Sequence, residues 1–373
     1  VSEDFEIKYS FIDKLLHDLA FRFPRLQRNI AEHEDERFEA ELAGLSADTP
    51  VFIAGLPRAG TTLVLNLLYN LDEFATHCYR DMPFVLTPVL WSRFSFRFKK
   101  TDELRERAHG DGMLVNLDSP EAFEEMLWKP FFPKHYQSDR IVPWDADEPS
   151  GFPEFFRSHV KKIIFIRGGD ASTRYISKNN LNISRLAYLQ GNFPAARLVL
   201  PFRDPVQHAY ELHTQHRHFL DIHGGDPFTR RYMAGVGHYD FGENLRPVDF
   251  DGWLERRRTR DTLALDFWLE YWIAAYTHIL KHTGENARLL CYEDLCRDAG
   301  AALDRIAGFV GVREKQALLD QAGSVWELDM ADVKLEGVSG ELLEQARELY
   351  ARLRISEANL LKPGSAGEEN LSG

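Results

Sequence analysis

Apolar residues recur along the chain in two rhythms, short unbroken runs and longer stretches spaced by three and four, and the two alternate from residue 51 onward. Residues 51–54 are wholly apolar, as expected of a strand buried on both faces of a parallel sheet. Leu63, Val64, Leu67, Leu68 and Leu71 follow at helical spacing, so Thr61 and Thr62 open a helix. Further strands are predicted over 75–79, 174–177, 197–202 and 288–292. Helices are predicted over 152–166, stopped by Gly168 and Gly169, and over 183–189, 206–220, 262–280, 303–310 and 339–353. One more should begin with Ser119 as N-cap and Pro120 in the first position. This rhythm predicts an α/β fold around a central parallel sheet.

Three stretches lie outside it. Residues 5–43 carry apolar positions at helical spacing and predict a helical cap ahead of the first strand. Residues 99–118 are polar and glycine-containing and read as a mobile connection. Residues 221–260 combine glycines, prolines and charges with a basic ERRRTR run, and read as a long lid or substrate loop. The expected organisation is a cap over 1–48, one domain over 49–335 with a lid insertion at 215–262, and a C-terminal helix with polar tail over 336–373.

Composition narrows the function. With 373 residues, 44% of them hydrophobic, the chain can bury a large core. Asp and Glu total 58 against 45 Lys and Arg, a net charge of −13, which argues against a nucleic-acid partner but leaves room for a local basic cleft. Cys78, Cys291 and Cys296 form no CxxC pair, so neither a disulfide framework nor a zinc cage is expected. His208, His213, His216 and His218 share one predicted helix without an HExxH pattern, and no metal is assigned to them. The start of the chain has no basic and apolar leader pattern, and no run approaches 18 apolar residues. A cytoplasmic protein without an integral membrane segment is expected. Oligomeric state, including a homo-oligomer, stays open.

The chemistry concentrates between strand and helix at 51–71. Gly55 and Gly60 bracket Leu56, Pro57, Arg58 and Ala59, and a loop of this kind at a helix N-terminus gathers backbone N–H groups for an anion such as phosphate. The spacing nearly matches G-x-x-x-x-G-K-[ST], but Thr61 stands where a nucleotide triphosphatase needs lysine, and the cation is Arg58. Lys178 and Arg203 fall at the ends of later strands, where an open α/β sheet places its ligand crevice.

PRAGTTL resembles the 5′-phosphosulfate loop of the sulfotransferases that use 3′-phosphoadenosine 5′-phosphosulfate (PAPS), with Ala59 in place of the common serine. FPAARLVLPFRDP, SKNNLNISRL and CYEDL are similar to later segments of the same family, in the same order. The resemblance implies a P-loop-like three-layer sandwich. It also implies transfer of a sulfuryl group from PAPS, as co-substrate and without a required metal, to a hydroxyl or amine of a small-molecule, carbohydrate or lipid acceptor. It assigns Pro57, Arg58, Ala59, Gly60, Thr61, Thr62, Arg203 and Tyr292 to donor binding, with Arg203 on the 3′-phosphate. Arg58, Lys178 and Asp81 become the catalytic residues. Asp81, 23 positions after Arg58, is the base by analogy with a glutamate of the tyrosylprotein sulfotransferases, and His109, Glu124 and Glu125 are alternatives. Eight positions after Arg203 the family usually has a serine that shares the 3′-phosphate. This chain has Glu211, which must point away or weaken the nucleotide, with Gln207, His208 or Arg217 as substitutes. An ATP-dependent kinase or triphosphatase and a non-catalytic nucleotide-binding scaffold are the competing readings.

Overall fold

The computed structural model describes residues 22, 24–95, 105–106, 114–115, 117–257, 260–325, 330–335 and 337–362. Its centre is a five-stranded, all-parallel sheet in the order β2-β5-β1-β6-β7. The strands are β1 (Val51–Ile53), β2 (Phe74–Ala75), β5 (Arg174–Lys178), β6 (Arg197–Phe202) and β7 (Ala287–Cys291). Between β2 and β5, β3 (Arg105–Glu106) and β4 (Leu114–Val115) form a separate antiparallel pair.

Alternation along the central strands divides the core in two. Phe52 of β1 and Leu198, Leu200 and Phe202 of β6 enter one cluster, and Val51, Ile53 and Val199 enter the other. The second cluster is closed by α2 (Thr61–Tyr69) and α10 (Ala299–Val310), through Val64, Leu67, Leu68, Leu303 and Ile306. The first is closed by α4 (Phe152–Ile166), α5 (Leu186–Asn192), α6 (Pro205–Gly225), α8 (Leu265–Lys281) and α11 (Gly340–Ile355). Helix, sheet and helix make three layers. Ahead of β1, α1 (Pro24–Arg37) docks on α4 through Lys162, whose buried ammonium meets Glu34 at 3.2 Å and Asp35 at 2.8 Å.

Several expectations need correction. The strand expected over 75–79 is only Phe74–Ala75, and Tyr79–Asp81 is a 3-10 turn. No helix starts at Ser119. Pro120 bridges Cys78, and Ser119 and His77 take the N–H groups of Tyr79 and Glu121. Pairing across the chain thus overrides a local capping signal, and the helix there is the short α3 (Glu125–Trp128). The stretch expected to be a lid loop is largely helical: α6 continues to Gly225, and α7 (Pro227–Val236) follows, capped by Asp226. It is tied down by two histidines. His216 Nδ1 accepts from the Gly242 N–H at 3.0 Å and His223 Nδ1 from that of Glu243 at 3.1 Å. Tyr292, expected to end a strand, begins α9 (Tyr292–Arg297). Of the expected mobile connection, residues 99–104, 107–113 and 116 lie outside the described residues, as do 1–21 of the cap and 363–373 of the tail.

Candidate functional site

The sheet sets the loop's position. Ile53 pairs with Lys178 on one side and Val199 on the other, so the ends of β1 and β5 lie abreast while β6 runs on past them to Phe202. Gly55 then passes so close to β6 that a Cβ there would sit 3.0 Å from the Pro201 carbonyl. The Ala59 N–H closes a turn on the Leu56 carbonyl at 3.3 Å, and Arg58 and Gly60 both adopt left-handed backbone, with φ of 70° and 87°. Gly60 caps α2, whose first turn leaves N–H groups without intrahelical acceptors. Ala59 is fully buried and Thr61 nearly so, whereas Pro57, Arg58, Gly60 and Thr62 are partly exposed.

Two side chains from the β6–α6 junction hold the loop's carbonyls. His208 Nε2 donates to the Pro57 carbonyl at 2.7 Å, and Arg203 Nη1 donates to the Arg58 carbonyl at 3.0 Å. Burial, reinforced by Arg203, pushes His208 down to about 3, so it is a neutral imidazole. Arg203 is itself buried, with its guanidinium 5.0 Å from the centre of the Tyr292 ring and its Nε without an acceptor among the described residues. Tyr292 is a wedge between cation and loop. A Cβ on Gly60 would meet its Cδ2 at 2.4 Å, and burial pushes its phenol up to about 12. The junction is held by Asp204, which caps α6 by accepting from Val206 and Gln207 at 3.0 Å while its own N–H donates to Glu293 at 2.8 Å.

Arg58, Lys178 and Arg203 are therefore brought together at the carboxyl ends of adjacent strands. Glu211 does not point away from them. Its Oε2 accepts from Arg58 Nε at 3.1 Å and Nη2 at 3.0 Å. Two of its expected substitutes have other tasks, His208 on the loop and Gln207 in a two-way amide pair with the backbone of Ala331. Arg217 is exposed.

Asp81 is 2% exposed, and its Oδ2 accepts from the Cys78 N–H at 2.8 Å and Arg167 Nη2 at 2.5 Å. The other two candidate carboxylates among the described residues, Glu124 and Glu125, are equally enclosed. Glu125 accepts from Tyr136 Oη, Asn179 Nδ2 at 2.8 Å and Arg185 Nη2 at 2.5 Å. Glu124 accepts from Trp128, Tyr175 and Asn182 at 3.0–3.2 Å. His109 lies outside the described residues. A buried polar chain ends on Glu124: His159 Nε2 to His77 Nε2 at 2.8 Å, His77 Nδ1 to Tyr175 Oη at 3.1 Å, and Tyr175 to Glu124. Nothing in the spacing of these residues announces the chain, because its members come from four separate stretches of sequence.

Among the described residues, no group of three or more His, Cys, Asp or Glu side chains is placed to hold a metal ion, and no helix is long and apolar enough to cross a membrane. Residues 50–232 match the family model described as the sulfotransferase family, a span that contains the loop, Asp81, Lys178, Arg203 and Glu211 but not Tyr292. Human Sulfotransferase 4A1 is 26% identical over 180 residues, 45% of this chain and 61% of that protein. The chain thus spans less than two thirds of the length of this curated relative. Two crystal structures are similar. One is sulfotransferase STF9 from Mycobacterium avium, with a TM-score of 0.47, 15% identity, and coverage of 86% of this chain and 80% of that one. The other is sulfotransferase STF1 from Mycobacterium tuberculosis H37Rv, with a TM-score of 0.46, 14% identity, and coverage of 93% and 88%. Through residues 50–232, just under half of its length, the chain is similar to the sulfotransferase family.

Proposed function

We propose that this protein transfers the sulfuryl group of PAPS to a hydroxyl or amine of a small-molecule, carbohydrate or lipid acceptor. The observation that carries the reading is the pairing of Arg203 with the loop: a buried guanidinium that holds the Arg58 carbonyl and keeps an Nε without an acceptor among the described residues beside a helix N-terminus. Such a site fits an anion at each end of a nucleotide bisphosphate.

In this reading the donor supplies an activated sulfuryl group joined to a phosphate that leaves as 3′,5′-adenosine diphosphate. The N–H groups at Gly60, Thr61 and Thr62, with the Thr hydroxyls, hold the 5′ end. Arg203 and Tyr292 hold the sugar end. Arg58 and Lys178 offset charge on the sulfuryl oxygens and on the departing phosphate oxygen, and no metal is required for that task. Asp81 is proposed as base for the acceptor proton. Both hydrogen bonds described for its carboxylate fall on Oδ2, which leaves Oδ1 to take that proton, and because Asp81 is buried it serves only where the acceptor reaches it. The protein is proposed to work in the cytoplasm.

Incubation with sulfur-labelled PAPS and a panel of phenols, sugars, lipids and amines tests the reading. Label transfer coupled to release of 3′,5′-adenosine diphosphate is expected. The Arg58–Glu211 pair favours a second reading, a nucleotide-binding scaffold, which predicts donor binding and no transfer to any acceptor.

A further inference from the structure

The two arginines of the donor site are in different states. Arg58 is already matched by a carboxylate, with both Nε and Nη2 on Glu211 Oε2 and the two side chains only 27% and 29% exposed. Arg203 meets a neutral carbonyl and an aromatic ring. Both contacts fall on a single residue of the loop, Glu211 on the guanidinium of Arg58 and Arg203 on its backbone carbonyl. Glu211 Oε1 has no hydrogen bond among the described residues and keeps full acceptor capacity.

We infer that Glu211 is a specificity-determining residue of the donor site, which removes most of the advantage of a ribose 3′-phosphate over a free 3′-hydroxyl. The inference rests on the reading that the loop takes the 5′ group and Arg203 the sugar end. One guanidinium cannot fully neutralise both Glu211 and an anion in the loop. When the 5′ group draws on Arg58, the charge of Glu211 is uncovered, and it opposes a second phosphate at Arg203. A 3′-hydroxyl meets no such opposition and can donate to the carboxylate, as ribose hydroxyls do to acidic residues in dinucleotide sites. The two anionic ends of a 3′-phosphorylated donor therefore work against each other here. The site accepts an adenosine 5′-monophosphate with or without the 3′-phosphate.

Calorimetric titration with adenosine 5′-monophosphate and with 3′,5′-adenosine diphosphate measures this directly, at one fixed salt concentration. In the unaltered protein the two dissociation constants should lie within roughly tenfold of each other. Glu211→Ser and Glu211→Gln should each widen that ratio by about tenfold or more, mainly by tightening the diphosphate. Glu211→Gln preserves side-chain volume and carries the test if Glu211→Ser lowers the thermal midpoint. A strong preference for the diphosphate in the unaltered protein, or a ratio unmoved by both substitutions, overturns the inference. If that protein still binds the diphosphate and loses it in Arg203→Ala, the proposed donor site stands while Glu211 has no selective role. Binding of neither nucleotide to the folded protein overturns both.

Discussion

Arg203 donates from Nη1 to the backbone carbonyl of Arg58 at 3.0 Å, across 145 positions of sequence. The contact exists because β6 lies beside β1 in the sheet, with Val199 level with Ile53, so the residue that ends one strand reaches the loop that follows the other. It gives Arg203 two tasks, shaping the loop and presenting charge at its edge. Arg203→Ala should weaken 3′,5′-adenosine diphosphate by roughly 10²-fold, since a lost charge-assisted contact costs about 1.5–3 kcal/mol. Arg203→Lys keeps the charge but not the planar fork and should recover only part of the affinity. Titration of both variants checks this; full affinity in Arg203→Ala would place the sugar end elsewhere.

Gly60 is needed twice, for its φ of 87° and for its contact with Tyr292. Gly60→Ala forces the Tyr292 ring off the loop and strains the backbone, and should cost about 1–3 kcal/mol of stability along with nucleotide binding. Tyr292→Ala removes the clash but not the strain. The double variant should therefore be more stable than the sum of the two single changes predicts. Additive denaturation midpoints would show that the ring is not what Gly60 accommodates.

Much of this was legible in the chain. Runs such as 198–202 are apolar throughout, so the strands could be placed, and their rhythm put Lys178 and Arg203 at strand ends, where the structure has them at the end of β5 and just past β6. What escaped were relationships between distant segments. The Glu211 contact with Arg58 spans 153 positions, and the Tyr292 wedge depends on β7 lying next to β6. The helix expected at Ser119 failed for the same reason: its backbone is taken by residues 77–80, which no local spacing shows. The apparent lid folded because His216 and His223 offer ring nitrogens to Gly242 and Glu243, a pairing hidden in a glycine-rich stretch.

Asp81→Asn separates a structural role from a catalytic one. If the pair with Arg167 is its main task, the amide weakens that pair and stability falls by about 1–3 kcal/mol. If Asp81 takes the acceptor proton, turnover falls by ~10²–10⁴ with nucleotide affinity unchanged. The proposed role as base requires the second result. Turnover that follows only the loss of folded protein would remove Asp81 from the mechanism.

Acid should unfold the protein early. Burial, with Arg167 opposed by Asp81, holds His77 down to about 4, and burial with His77 and Lys162 holds His159 well below the usual imidazole range. Their folded values lie below the unfolded value near 6.5, so between pH 6.5 and about 4 only the unfolded chain takes up these protons. Stability is complete above pH 6.5 and declines as pH falls, by up to about 1.4 kcal/mol per pH unit for each such histidine. Urea denaturation at pH 7.5 and pH 5.0 reads this, and equal stabilities would contradict it.

The central claim is that the loop with Arg58 and Arg203 binds the bisphosphate nucleotide of sulfuryl transfer. Calorimetric titration with 3′,5′-adenosine diphosphate, set beside ATP with magnesium, tests it most directly. Saturable binding of the diphosphate in preference to ATP, lost in Arg58→Ala and in Arg203→Ala, is the predicted result. Preference for ATP with magnesium, or binding of neither, would contradict the account and return Thr61, standing where a triphosphatase has lysine, to the centre of the question.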